Sequence, residues 1–124
     1  MTDYLTVADV LAIHQELIAK YGGSDGLRDP GLLEAALFRP QTGYYSDLIG
    51  EAAALWESLS QNHAFVDGNK RVAFAATLVF LAINGIDLDA DADETLAFLL
   101  PLYETQGVRF EALEAWLRQR TRPL

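Results

Sequence analysis

Apolar residues recur at helical spacing along most of the chain, and Gly, Pro, Asp and Asn punctuate the intervals. Val7, Leu11 and Ile18, with Val10, Ile13, Leu17 and Tyr21, outline a first helix from Thr6 to about Tyr21, stopped by Gly22-Gly23. Asp29-Pro30 restarts the chain as a helix, with Asp as the cap and Pro at the first helical position. It reaches about Arg39 and ends before Pro40. Ser46 or Asp47 caps a third helix, whose apolar stripe is Leu48, Ala52, Leu55, Trp56 and Leu59. His63 follows one helical turn later, which places it at the C-terminal end of that stripe. After a turn over 64–68, a fourth helix is predicted from Asn69 to Asn84-Gly85. Between Val72 and Ile83 only Thr77 interrupts its apolar run, so the pattern places this helix at the centre of a bundle. Asp93 caps a fifth helix from Glu94 to about Tyr103. A last helix, Phe110 to about Arg120, turns Leu113, Trp116 and Leu117 inward.

No segment alternates strictly between apolar and polar residues, and neither a repeat nor a linker is evident. The expected fold is all-α: a single compact bundle of about six helices around a buried central helix, one domain over residues 1–124. Hydrophobic residues make up 51% of the chain, enough for one core. The apolar run is too short for a membrane span, which needs about 20 residues, and the N-terminal residues do not resemble a signal peptide. The chain has no cysteine, which excludes disulfides and thiolate chemistry. A cytoplasmic location fits these features.

Nine Lys and Arg stand against 18 Asp and Glu, a net charge of −9. That balance opposes broad binding to nucleic acid or to an anionic membrane, but leaves room for a nucleotide in a local cationic pocket. The acidic stretch Asp87 to Glu94 reads as a solvated connection. Arg118, Arg120 and Arg122 read as complements to the last helix dipole. His14, distant from the other histidine in sequence, reads as structural.

Chemistry concentrates in one turn. His63 closes one helix, and Asp67, Gly68, Asn69, Lys70 and Arg71 open the next. A helix start offers unpaired N–H groups and the positive end of its dipole. Gly68 permits close backbone approach, and Lys70 and Arg71 add charge, so the segment is a phosphate cradle. No Lys or Arg occurs from Val72 to Val108, which makes the position of these two informative. Asp67 makes sense beside phosphates if Mg²⁺ lies between them. Histidine titrates near neutrality, so His63 suits removal of a proton from a hydroxyl. Phe65 is the apolar anchor of the turn. Capping alone is the simpler alternative for Asp67 and Asn69. These residue types together indicate phosphoryl or nucleotidyl transfer, and the Walker pattern is absent.

The string His63-Ala-Phe-Val-Asp-Gly-Asn-Lys-Arg71 resembles the signature of the Fic/Doc family. Tyr21-Gly-Gly and Gly26-Leu-Arg-Asp-Pro-Gly-Leu-Leu-Glu34 resemble the N-terminal region of its death-on-curing (Doc) branch. The resemblance implies that His63 is the general base, that Asp67 holds Mg²⁺, and that Asn69, the helix start and Arg71 hold the phosphates of ATP. At Lys70 the AMP-transferring members usually carry Gly, and at Phe74 a second Arg. The Doc branch implies transfer of the γ-phosphate to a Thr or Ser hydroxyl of a translation factor, with elongation factor Tu as the expected target and translation halted. It also implies a type II toxin–antitoxin pair. The cognate antitoxin, Phd-like or unrelated, would bind as a helix near the active site. AMP transfer and a non-catalytic binding module on the same scaffold remain the alternatives.

Overall fold

The computed structural model describes residues 1–124, with six α-helices and one two-stranded sheet. Helix α1 (Val7–Tyr21) starts at a capping box. The Thr6 hydroxyl accepts from the Asp9 N–H, and the Asp9 carboxylate accepts from the Thr6 N–H. Helix α2 (Pro30–Phe38) is capped by Asp29 and runs into a 3₁₀ turn at Arg39–Gln41. Asp47 caps α3 (Leu48–Gln61) through the Gly50 N–H at 3.0 Å. Helix α4 spans Asn69–Ile83, α5 spans Ala92–Thr105 and α6 spans Phe110–Arg120.

The centre of the bundle is α3 rather than α4. Ten of the 14 residues of α3 are buried, against six of the 15 in α4. The apolar run of α4 was expected to be covered all round, but one side of the helix faces an open groove instead. Val79 lines that groove and is 37% exposed. Small residues explain the burial of α3: Gly50, Ala52, Ala53 and Ala54 let neighbouring helices approach closely. Its one aromatic side chain, Trp56, packs against Phe74 of α4, Phe98 of α5 and Trp116 of α6, with centroid separations of 5.5, 6.3 and 6.1 Å. Thr77, the one polar residue in the α4 run, is buried and returns its hydroxyl to the Ala73 carbonyl at 2.8 Å.

Three features depart from the sequence expectations. The acidic connection contains a strand, β1 (Ile86–Leu88), paired antiparallel with β2 (Thr121–Pro123). Three residues are too few to show alternation. The fifth helix starts earlier than expected, because Asp91 rather than Asp93 is its cap and forms a capping box with Glu94. The C-terminal arginines pair with carboxylates rather than only opposing a dipole. Arg118 forks onto Asp47 at 2.8 and 3.1 Å and also reaches Glu114. Arg120 pairs with Glu94, and Arg122 lies 3.5 Å from Asp87 and 3.6 Å from Asp89. These pairs pin the C-terminal end to the start of α3, the sheet and the start of α5.

Candidate active site

The loop between α3 and α4 is built on a second loop, residues 22–29, that lies against it. Leu27 and Phe65 form an isolated antiparallel bridge. The Val66 N–H donates to Gly26 O at 3.0 Å, and the Arg28 and Asp29 N–H groups both donate to Ala64 O, at 2.8 and 2.9 Å. Phe65 is buried and stacks on the His14 ring with centroids 3.9 Å apart. His14 is structural, yet it belongs to this site. Its Nε2 lies 2.7 Å from the Asp67 carbonyl, and a carbonyl can only accept, so Nε2 carries the hydrogen.

His63 departs from its expected position. Helix α3 ends at Gln61, and His63 stands beyond it, exposed, with a left-handed φ of +51°. Asn62 keeps a helical backbone and gives its Nδ2 to Leu32 O at 3.2 Å, and Arg28 takes the Asn62 and His63 carbonyls that a continuing helix would use.

Asp67 is a surface carboxylate held in place by backbone. It accepts from the Ser24 N–H at 3.1 Å and from the Gly68 N–H at 2.8 Å. These two bonds, Ser24 first, with the nearby Arg71 charge, hold its carboxyl below the usual carboxylate range. The contact requires glycine at 23, where φ is +115° and a Cβ would stand 2.6 Å from Asp67 Oδ2. Asp67 is a lone carboxylate. No cluster of three or more His, Cys, Asp or Glu side chains is placed to hold a metal. A single carboxylate beside the uncapped start of α4 would fit a cation that takes its remaining ligands from phosphates and water.

Gly68 supplies the left-handed residue, φ +78°, from which α4 begins, and no side chain caps that start. The first backbone bond closing the turn is Val72 N–H to Gly68 O at 2.9 Å, so the amides of Asn69, Lys70 and Arg71 precede the helical ladder. The Asn69 side chain is committed elsewhere. Its Oδ1 accepts from the Phe65 N–H and its Nδ2 donates to Phe65 O, both at 3.0 Å. Any phosphate contact from Asn69 would therefore come through its main chain. Arg71 donates to Gly22 O at 3.1 Å, and the Lys70 ammonium sits 4.6 Å from the Tyr103 ring centroid.

A cavity of about 1350 Å³ brings these groups together. His63, Asp67, Gly68, Asn69, Lys70 and Arg71 line one part, and mostly apolar residues of α4 and α5, among them Phe74, Val79, Leu96 and Tyr103, line another, with Asp87 and Asp91 from the acidic connection. Tyr103, whose hydroxyl burial pushes up in pKa, was not singled out by sequence. Neither were Gly23, Ser24, Arg28 and His14 as members of the site. Gly23 and Arg28 lie within the N-terminal strings quoted above, which was the one available signal.

A sequence model of the Fic/DOC family matches residues 4–81, which covers the loop, the cradle and most of α4. The chain belongs to the Fic/DOC family. It is 49% identical over 98 residues to the "Toxin Doc" of Mycolicibacterium smegmatis, covering 75% of this chain and 73% of that one. It is 33% identical over 89 residues to the "Protein kinase doc" of Escherichia phage P1, covering 68% of this chain and 71% of that one. Within the family, this Fic/DOC chain thus has its kin among the Doc toxins.

Proposed function

We propose that this Doc-type chain transfers the γ-phosphate of ATP to a Thr or Ser hydroxyl of a translation factor, elongation factor Tu being the expected acceptor. The observation that carries the proposal is one cavity containing His63, the ionised Asp67 and the open first turn of α4 with Lys70 and Arg71. The substrate hydroxyl oxygen bonds to the γ-phosphorus as the bond from that phosphorus to the β–γ bridging oxygen breaks. The hydroxyl proton passes to a ring nitrogen of His63, and ADP leaves. Backbone amides at the start of α4, with Lys70 and Arg71, oppose the charge on the phosphates. Asp67 would hold Mg²⁺, which supplies further charge neutralisation when bound.

Two residues favour this over AMP transfer. Lys70 places a side chain where Gly would leave room for an α-phosphate. Phe74, where a second Arg would stand, is packed against Trp56. ATP labelled separately at the α- and γ-phosphates distinguishes the reactions with elongation factor Tu as acceptor. Label from the γ position, lost with His63→Ala, is expected. Label from the α position assigns AMP transfer instead. Tight partner binding without any ATP–Mg²⁺ binding by calorimetry assigns a non-catalytic module.

The antitoxin partner belongs to the same proposal. Val79 on α4 and Leu96 on α5 line the apolar part of the cavity and are 37% and 50% exposed. A monomeric protein gains little from such a groove, whereas an amphipathic antitoxin helix would cover it beside the cradle.

A further inference from the structure

His63 stands on a left-handed backbone that side-chain-bearing residues rarely adopt, and it is exposed. No side chain of the protein is bonded to its ring, so the backbone, which sets where the His63 Cβ starts, is the part of its placement that the protein holds. The groups that hold this backbone come from one residue. The Arg28 Nε donates to His63 O at 2.8 Å, one of its terminal nitrogens donates to the same oxygen at 2.5 Å, and that nitrogen also reaches Asn62 O at 3.3 Å. Arg28 is exposed and takes part in no ion pair, so the planar fork serves these two carbonyls rather than a carboxylate. Its own main chain is fixed as well, because the Arg28 N–H donates to Ala64 O. Positive charge at the end of α3 also matches the helix dipole.

We infer that Arg28 is a positioning residue for the reaction, holding the His63 carbonyl so that the backbone stays left-handed and the imidazole starts from the wall of the cavity it shares with the cradle. The inference rests on His63 acting as the base, as proposed above. A guanidinium suits the task because two nitrogens can converge on one oxygen while the plane fixes direction. An ammonium offers a point donor without that direction.

The test uses the full chain with R28Q and R28K. In R28Q, kcat for phosphate transfer is expected to fall about a hundredfold, as for a misplacement of about 1 Å. ATP–Mg²⁺ affinity by calorimetry should stay at the wild-type value. R28K should recover part of kcat. The HN–Hα coupling of His63, read by NMR, should leave its left-handed value in R28Q. Wild-type kcat in folded R28Q, or a loss of ATP affinity that accounts for the loss of kcat, overturns the inference. If R28Q does not fold, R28K decides: reduced kcat with wild-type melting supports it, and wild-type kcat overturns it. If the wild-type protein transfers no γ-phosphate, the proposed function fails, while the His63 coupling still decides whether Arg28 holds that backbone.

Discussion

The side chains of residues 62–71 divide between those that build the loop and those left for a ligand. Asn69 is the clearest builder, because it satisfies both the N–H and the C=O of buried Phe65. Asn69→Ala leaves both groups without their partner and should cost on the order of 1–3 kcal/mol, read by urea denaturation. Acid stability follows from the carboxylates. Asp47 is held below the usual range, first by Arg118 and then by the Gly50 N–H, and Asp67 by Ser24 and Gly68. Unfolded Asp titrates near about 3.9, so between that value and the lower folded values the unfolded chain binds more protons. Their contribution is present above that window and is lost as pH falls through it. Urea midpoints measured across the window should decline with acid, and the decline should be shallower in Asp47→Asn. The chemistry of the loop was legible because its residues are contiguous. Its supports were not: His14 meets Asp67 across 53 positions and Arg28 meets His63 across 35, and no local pattern encodes such contacts.

The helices were legible element by element because their starts carry local chemistry. Thr6, Asp29 and Asp47 each cap where the sequence places a cap. The order of burial among them was not legible. Apolarity all round marks α4, but small residues at α3 let its neighbours close over it, and only packing reveals that difference. Trp56→Ala should therefore cost about 3–5 kcal/mol, whereas Val79→Ala on the groove side of α4 should stay within about 0.5 kcal/mol. Thermal unfolding of the two variants checks the contrast. Comparable losses would mean that α4 is the covered element. The short sheet leaves no sequence signal because β1 and β2 come from distant parts of the chain and neither is long enough to show a period of two.

At the scale of the whole molecule, the cradle and the apolar groove are two parts of one cavity, and no helix is long and apolar enough to cross a membrane. Leu96→Asp places a charge in the groove, away from His63 and the cradle. It should weaken association with the cognate antitoxin by at least about tenfold, because a partner would have to bury that charge. Phosphate transfer should persist. Titration of antitoxin against the variant, followed by calorimetry, reads the first effect, and undiminished affinity would place the partner elsewhere. Phosphate transfer is decided by the intact mass of elongation factor Tu after incubation with the protein and ATP–Mg²⁺: it should rise by a single phosphoryl group, and not with His63→Ala, whereas an AMP increment or an unchanged mass rules the reaction out.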